Sequence, residues 1–335
     1  MATLDDIARE LETSKSTVSK ALSGAKDVSP KMRQAVLEKA VELGYTRVRR
    51  SATSPRMAVF VTNMEYQSPD DFGYELIVGF RKAAEPAGYQ VDVIPLNHKL
   101  QLDMSYDTFM IRGNYIGAFF LGLSLIDPWM GDFETCRSLT VLYDNHVIGN
   151  PNVTHIGVDN VEAMGIAVSY LTCLGHKKIG YLSSELKAYI YKQRHRAFFQ
   201  ALERSGLDAS PELSGSAFHI SDCISQHLPR LLDMGCTAIV CSHDVLAHSL
   251  IVHCTEMGLR VPMDLSILGF DDIPLCRYTA PPLSTIRQNR TDLGKSAFYA
   301  LSSQMNQVPL STFLLHAELI ERGSAAPVRA GLRAE

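Results

Sequence analysis

Residues 3–22 constrain the fold of this chain more than any other stretch, because they predict two short helices joined by a tight turn. Thr3 stands where a helix N-cap belongs, and Ser14 can cap a second helix after the pattern breaks at Glu12. The apolar residues that repeat at helical spacing are Leu4, Ile7, Ala8 and Leu11, followed by Val18, Ala21 and Leu22. This stretch therefore predicts a helical hairpin.

The polar face of the second predicted helix carries side chains that can bind DNA. In a helix-turn-helix, the N-terminal end of the second helix enters the major groove. Here that end carries Lys15, Ser16 and Thr17, which can hydrogen-bond bases or phosphates. Spacing alone leaves open the alternative of an ordinary helical hairpin with a solvated polar face.

A third helix is predicted to begin at Ser29-Pro30, an N-cap followed by proline at the first helical position. Gly44 is a suitable C-cap for this helix. Its apolar stripe consists of Met32, Val36, Leu37, Ala40 and Leu43. The three helices would form a small unit over residues 1–45.

Charge separates this unit from the rest of the chain. Residues 1–56 hold 11 basic and 7 acidic side chains, a net charge of +4, whereas residues 57–335 carry −8. Hydrophobic residues make up 46% and charged residues 20% of the sequence, which is typical of a folded globular protein. A small basic unit on a larger acidic body is typical of a nucleic-acid module joined to another domain.

From Met57 onward the sequence alternates between strand-like and helix-like segments. The predicted strands are 57–62, 90–95, 116–121, 139–143, 178–182, 216–218, 237–241 and 265–269. The predicted helices are 72–87, 100–112, 126–137, 189–205, 220–234, 244–257 and 291–306. This rhythm predicts an α/β fold of two doubly wound parallel-sheet subdomains, with a ligand pocket between them.

No segment of the sequence predicts export or membrane insertion. The start of the chain lacks the basic and apolar regions of a signal peptide, and the apolar run at 116–126 is shorter than the roughly 20 residues that span a bilayer. We expect a cytoplasmic protein. The seven cysteines are scattered, without a Cys-x-x-Cys pair, and predict reduced and mostly buried thiols.

Nothing in the sequence predicts catalysis or a cofactor. His243, His248 and His253 follow one another at five-residue steps, so they do not share a helix face and predict no metal site. Ser242-His243-Asp244 contains the residue types of a catalytic triad, but adjacency does not supply triad geometry. We expect a protein that is not an enzyme and binds neither a metal nor a cofactor.

The chain resembles the lactose/galactose repressor (LacI/GalR) family of transcription regulators along most of its length. In the headpiece the resemblance rests on Asp6-Ile7-Ala8-Arg9, Ser14-x-x-Thr17-Val18-Ser19-Lys20, Val28-Ser29-Pro30 and Leu43-Gly44-Tyr45. In the body it rests on Leu174-Gly175-His176, Arg194-x-x-Ala197-Phe198, His243-Asp244-x-x-Ala247, Gly269-Phe270-Asp271-Asp272, Pro282-Leu283-Ser284-Thr285-Ile286 and Glu321-Arg322-Gly323. The body of this family is akin to periplasmic sugar-binding proteins.

The resemblance implies which residues contact DNA. In the headpiece these are Thr3, Ser14, Lys15, Ser16, Thr17, Ser19, Lys20, Ser23 and Ser29. In the linker they are Arg47, Arg49 and Arg50. The linker, residues 46–56, is about six residues shorter than the family pattern and lacks the leucine that wedges into the minor groove, so we expect weaker DNA bending.

The resemblance also implies a binding site for a small effector, formed by eight residues. They are Asn63, Phe72, Asp159, Arg194, Phe218, His243, Asp271 and Gln288. His243 stands where the family usually has asparagine. The alternatives are an unusual effector, a pH-sensitive response, or a substitution that only reshapes the pocket.

Three of these assignments have simpler alternatives. Arg194 could be an exposed helix arginine, since it lies in the charged run 192–196. Asp271 could cap the segment that follows it, a role that suits Asp272 better. Phe218 could be an ordinary core aromatic of a strand.

The expected domains are a headpiece (1–45), the linker (46–56), an effector and dimerisation domain (57–324) and a tail (325–335). The two subdomains are expected at about 57–155 with 285–310, and 156–284 with 311–324. Residues 323–335 contain Pro327 and no leucine heptads, which favours a homodimer over a tetramer.

The sequence thus predicts a DNA-binding regulator, acting as a repressor on a pseudo-palindromic operator and controlled by a sugar or sugar derivative. A transport-type sugar-binding protein and an enzyme on the same α/β core are the alternatives.

Overall fold

The computed structural model describes residues 2–25, 27–45, 54–184, 186 and 188–328. The helices are α1 Leu4–Glu10, α2 Lys15–Leu22, α3 Pro30–Leu43, α4 Phe72–Ala84, α5 His98–Asp103, α6 Tyr106–Gly113, α7 Trp129–Asp132, α8 Asn160–Cys173, α9 Tyr189–Arg204, α10 Ile220–Asp233, α11 Asp244–Glu256 and α12 Arg290–Met305. The strands are β1 Arg56–Val61, β2 Gln90–Pro95, β3 Tyr115–Leu121, β4 Leu139–Tyr143, β5 Val153–Val158, β6 Ile179–Ser184, β7 Ser214–Ala217, β8 Ala238–Cys241, β9 Ser266–Asp271, β10 Ser284–Arg287, β11 Thr312–Leu315 and β12 Glu318–Ile320.

The first three helices form the headpiece, and their ends are closed by the predicted caps. Thr3 and Asp6 make a capping box at the start of α1, in which the Asp6 N–H donates to Thr3 Oγ1 over 3.3 Å. Ser14 Oγ accepts from the Thr17 N–H at 3.0 Å, and Ser29 Oγ accepts from the Met32 N–H at 3.2 Å. The headpiece core consists of Ile7, Ala8, Val18, Ala21, Val28, Val36, Ala40 and Tyr45.

The chain divides into two compact units. The first contains Met1–Ile156 and Arg290–Phe313, and the second contains Gly157–Asn289 and Leu314–Glu335. After β10 the chain leaves the second unit and returns to the first between residues 289 and 290, later than the predicted boundary between 284 and 285. The boundary is later because β10 pairs in parallel with β9 and so belongs to the second unit. The linker arginines Arg47, Arg49 and Arg50 lie outside the described residues.

Two six-stranded sheets confirm the predicted α/β fold. The first has the strand order β11-β5-β4-β3-β1-β2, and the second has the order β12-β10-β9-β8-β6-β7. Strands β6 to β10 pair in parallel, whereas β12 is antiparallel to β10. The carboxyl ends of β6 to β10 therefore meet at one edge of the second sheet, the edge that commonly binds ligands in open α/β sheets.

Some predicted elements differ from the observed ones. The helix predicted at 126–137 is wrong in length, since only α7 forms there. The Asn150 side chain donates to the carbonyls of Phe133 and Cys136, at 2.8 and 2.9 Å, and so satisfies carbonyls that follow the end of α7. The helix predicted at 100–112 is two helices, α5 and α6, separated at Met104 and Ser105.

All seven cysteines are free, and six of them are buried, with Cys173 exposed. Within the described part of the chain, no helix is both long and apolar enough to cross a membrane.

Candidate functional site

The first candidate site is the polar face of α2 in the headpiece. The side chains of Lys15, Ser16 and Lys20 are exposed there, while those of Thr17 and Ser19 are partly buried. Lys15 Nζ lies 2.7 Å from Asp5 Oδ2, and both side chains remain more than half exposed, at 59% and 57%. The exposed cation can therefore exchange its carboxylate partner for a phosphate at little cost.

The other predicted DNA contacts of the headpiece also have intramolecular partners. Thr3, Ser14 and Ser29 are the caps of α1, α2 and α3. Lys20 Nζ pairs with Asp27 Oδ2 at 2.5 Å, and Ser23 Oγ donates to the Lys20 carbonyl at 2.9 Å. Each cap hydroxyl holds a helix end in place, so a cap that also touches DNA would couple recognition to the fold of the headpiece.

The second candidate site is the carboxyl edge of the second sheet, where Arg194 is the central cation. Arg194 is 3% exposed, so the alternative of an exposed helix arginine is wrong. Its Nη1 donates to the Ser242 carbonyl at 2.7 Å and lies 3.6 Å from Asp271 Oδ1. Its guanidinium carbon lies 3.8 Å from the centre of the Phe270 ring, a cation–π contact. Helix α9 thus places the guanidinium of Arg194, held by these contacts, at the carboxyl edge of the second sheet.

Asp271 ends β9 with an unusual backbone conformation. Its φ angle is 116°, in a region that residues with a Cβ rarely adopt, and such strain is often found at ligand sites. Asp271 Oδ1 accepts from Gln288 Nε2 at 2.6 Å. The edge therefore holds a carboxylate between a guanidinium and an amide, all three of them buried.

Asp272 has a different role from the predicted one. The next short helical turn, Pro274–Arg277, begins after Ile273 and has no side-chain cap, so the capping hypothesis for Asp272 is wrong. Asp272 Oδ2 instead accepts from Arg287 Nε at 2.7 Å, and Oδ1 accepts from Arg322 Nη2 at 2.6 Å. Burial alone would raise the pKa of Asp272, but the hydrogen bonds from Arg322 and Arg287 outweigh it and lower the pKa.

His243 is the N-cap of α11. Its Nδ1 accepts from the Leu246 N–H at 3.2 Å, and its Nε2 lies 2.7 Å from Ser184 Oγ. Burial, and secondly the charge of Arg194, lower the pKa of His243 to about 4. This histidine is therefore neutral at neutral pH, which argues against the pH-sensitive response and favours a reshaped site.

Asp244 contributes a buried carboxyl group that the sequence reasoning did not select. It is 1% exposed, accepts from Thr285 Oγ1 at 2.6 Å and accepts from the Ile273 N–H at 3.0 Å. Burial, and secondly the nearby charge of Asp271, raise the pKa of Asp244 to about 7. The signal was available, because Asp244 belongs to the His243-Asp244-x-x-Ala247 motif.

Two further predicted effector residues lie in this unit. Asp159 Oδ1 caps α8 by accepting from the N–H groups of Val161 and Glu162, at 2.9 and 3.1 Å. Phe218 follows β7 and is 74% exposed, so the alternative of an ordinary core aromatic is wrong. An exposed aromatic ring at a strand end is suited to stacking on a ligand.

Asn63 and Phe72 belong to the other unit. Asn63 has a φ angle of 49° and donates from Nδ2 to the Gly122 carbonyl at 3.3 Å. The Phe72 ring lies under the Arg290 guanidinium carbon, 5.2 Å from the ring centre. These two residues therefore have contacts of their own within the first unit.

Three further residues of the edge are not among the effector residues that the sequence predicts. Ser184, Ser242 and Asn160 take part through a hydroxyl, a carbonyl and an amide oxygen, the last accepting from Arg194 Nε at 3.3 Å. Such roles depend on where strands and helices end in space. Among the described residues, no group of three or more histidine, cysteine, aspartate or glutamate side chains is arranged to hold a metal ion.

Comparisons with known proteins match both parts of the chain. Residues 3–47 match the family described as bacterial regulatory proteins, lacI family, and residues 168–325 match the periplasmic binding protein-like domain. The HTH-type transcriptional repressor CytR of Escherichia coli K12 is 32% identical over 334 residues, covering 96% of each chain. PurR of Mannheimia succiniciproducens is 27% identical, covering 98% of this chain and 100% of that one.

Solved structures share the fold. The transcriptional regulator CelR in complex with cellobiose has a TM-score of 0.68 at 22% identity and covers 97% of this chain and 100% of its own. The lac repressor dimer bound to operator and the anti-inducer ONPF has a TM-score of 0.65 at 21% identity, covering 97% of this chain and 99% of its own. With CytR matching almost end to end, and with a lacI headpiece before a periplasmic binding protein-like domain, the chain belongs to the LacI family of bacterial regulatory proteins.

Proposed function

We propose that this protein is a DNA-binding transcriptional repressor whose affinity for its operator is controlled by a small effector. The observation that carries the proposal is the presentation of Lys15 and Ser16 at the exposed N-terminal end of α2, on a three-helix unit with a core of its own. The repressor names of CytR and PurR support the same function.

Ser16 and Thr17 provide the test of DNA recognition. We expect Ser16→Ala to change the preference at one operator position by roughly 1–3 kcal/mol, because a base contact is lost. Thr17→Val should weaken binding to all sequences about equally, since a phosphate contact carries no sequence information. Operator selection followed by anisotropy titrations measures both. If Ser16→Ala retains the wild-type preference at every position, Ser16 does not read a base.

The carboxyl edge of the second sheet is the proposed effector site, and a sugar or sugar derivative is the proposed effector. Arg194, Asp271 and Gln288 offer a fork of donors beside a carboxylate, which suits the hydroxyls of a carbohydrate. The cellobiose bound to CelR supports this class. Phe218 adds an exposed ring for the apolar face of a sugar.

A thermal-shift screen against mono- and disaccharides tests the effector class, because a ligand that binds the native state raises the unfolding temperature. For a sugar that binds, we expect Asp271→Ala to weaken binding by about 2 kcal/mol, since ligand hydroxyls lose an acceptor. Glu203→Ala, an exposed change on α9, is the matched control. Unchanged affinity of Asp271→Ala in calorimetry would move the effector site elsewhere.

The protein is proposed to act as a homodimer that places one α2 helix in each half of a pseudo-palindromic operator. The dimeric lac repressor supports this arrangement. Light scattering should give twice the chain mass of 37.0 kDa. Operator binding also separates this function from the alternatives, because neither a transport-type binding protein nor an enzyme requires it.

A further inference from the structure

Ser184 and His243 form a side-chain pair at the carboxyl edge of the second sheet. Ser184 is the last residue of β6, and His243 follows the neighbouring strand β8. Their Oγ and Nε2 atoms lie 2.7 Å apart. The effector assignments made from the sequence include His243 but not Ser184.

The cap of α11 fixes the tautomer of His243. A backbone N–H can only donate, so Nδ1, which receives the Leu246 N–H, must present its lone pair. The single ring hydrogen of the neutral imidazole is then on Nε2, which faces Ser184 Oγ. His243 is neutral at neutral pH because burial and the charge of Arg194 lower its pKa.

This tautomer determines what Ser184 can offer. Its Oγ accepts from His243 Nε2, so its own hydrogen must be donated elsewhere. Among the described residues around it, the hydrogen-bond partner of Ser184 Oγ is His243 Nε2, which already donates, whereas Ser242 Oγ accepts from the Ser184 backbone N–H at 3.4 Å. Ser184 is only partly buried, at the edge where Arg194 and Asp271 also lie.

We propose that Ser184, oriented by His243, is a specificity-determining donor of the effector site and selects an oxygen acceptor on the effector over an ammonium group. Carbonyl, carboxylate and hydroxyl oxygens can accept the Ser184 hydrogen. An ammonium group can only donate to the second lone pair of Ser184 Oγ, which leaves the Ser184 hydrogen without an acceptor on the effector. His243 acts as a positioning residue, since it fixes the direction of the hydrogen without needing to touch the effector. The inference rests on the proposed effector site.

The first measurement needs no effector. In full-length protein labelled with nitrogen-15 at histidine, the His243 signals are assigned by their loss in His243→Asn. We expect Nε2 protonated and Nδ1 unprotonated at neutral pH. We also expect Ser184→Ala to shift the Nε2 signal, while Ser225→Ala, an exposed serine on α10, leaves it unchanged. A proton on Nδ1, or an imidazolium, overturns the proposal.

The second measurement uses calorimetry with pairs of sugars or sugar derivatives, in which one member carries an oxygen group where the other carries an amine. The pairs are D-gluconate and D-glucamine, D-glucose and D-glucosamine, and D-galactose and D-galactosamine. The wild type should bind the oxygen member of a pair more tightly. In Ser184→Ala the ratio of the two dissociation constants should fall about fivefold or more, because the oxygen of the ligand loses the hydrogen bond from Ser184. Arg194 also disfavours an ammonium group, so only the change in the ratio bears on Ser184.

The outcomes separate this inference from the proposed function. The inference is overturned if the wild type binds the amine member more tightly. It is also overturned if the ratio of the two dissociation constants falls less than fivefold in Ser184→Ala. Both results leave the proposed effector site in place. If no sugar of the panel binds, the carbohydrate class fails, and the tautomer of His243 decides whether Ser184 is a donor.

Discussion

The two candidate sites of this protein use charge in opposite ways. The α2 face carries Lys15 in an exposed ion pair with Asp5, with both side chains more than half in solvent. The edge of the second sheet carries Arg194, which is 3% exposed and held by Ser242, Asp271 and Phe270. An exposed pair is screened and exchangeable, whereas a buried charge depends on every partner. The first arrangement suits DNA phosphates, and the second suits one small ligand.

The largest effect should come from Arg194→Ala. Removing one partner of a buried ion pair leaves the Asp271 carboxylate and the Ser242 carbonyl without this donor. We expect the free energy of unfolding to fall by about 3 kcal/mol or more, measured by urea denaturation. Arg196→Ala, an exposed change on the same helix, should alter it by less than about 0.5 kcal/mol. If both substitutions lower the free energy of unfolding equally, the buried charge of Arg194 is no more important for stability than the exposed charge of Arg196.

Asp244 should make stability depend on pH. Its pKa is raised to about 7 in the folded protein, above the value of about 3.9 in an unfolded chain. The stabilisation from the bound proton is complete below about pH 4 and is lost as pH rises through about 7. Asp244→Asn should remove this loss, so it should be less destabilising, relative to wild type, near pH 8 than near pH 5.

Urea denaturation at the two pH values measures this difference. Asp233→Asn, an exposed change at the end of α10, is the matched control. If the Asp244→Asn difference is the same at both pH values, Asp244 does not hold an extra proton.

A smaller effect is expected at the cap of α2. Ser14→Ala removes the acceptor of the Thr17 N–H and should cost the headpiece about 1 kcal/mol. Ser16→Ala, an exposed change two residues later in the chain, should leave headpiece stability nearly unchanged. Amide hydrogen exchange of α1 and α2 in the full-length protein distinguishes the two. Similar loss of protection in both variants would show that Ser16 is also structural.

The smallest effect on stability should come from Lys15→Ala, at or below about 0.5 kcal/mol, because the pair with Asp5 is exposed. Its effect on DNA binding should be visible as a salt dependence reduced by about 0.9 log unit of affinity per log unit of salt. Asp5→Ala frees Lys15 and should strengthen binding at low salt. A salt dependence unchanged by Lys15→Ala would mean that Lys15 meets no phosphate.

Local patterns determined the elements whose causes are local. Thr3, Ser14 and Ser29 were predicted as helix caps and are caps, and Gly44 ends α3 with a φ angle of 70°, as a C-cap glycine should. These interactions join residues three or four apart, so the sequence contains both partners. Short alternating segments likewise predicted the α/β fold.

Elements with distant causes were missed or misplaced. The sequence analysis did not predict strand β5 or helix α8. All six residues of β5 are buried, and the strand lies between β11 and β4 in the first sheet. After the short helix α7, the carbonyls of Phe133 and Cys136 accept from the side chain of Asn150, which lies outside the segment predicted to be helical. Contacts with other segments of the chain are therefore part of what forms these elements.

The candidate effector site shows the same division between sequence and structure. Motifs of the sequence selected Arg194, Asp271, His243 and Gln288. The sequence could not determine that Arg194 is buried, that Asp271 is strained, or that Ser184 meets His243, because those residues lie on separate strands and helices. The sequence by itself determined which chemical groups the chain carries and where its helices begin. Only the tertiary structure decided their partners, protonation and exposure, because each depends on groups brought together by the parallel sheet.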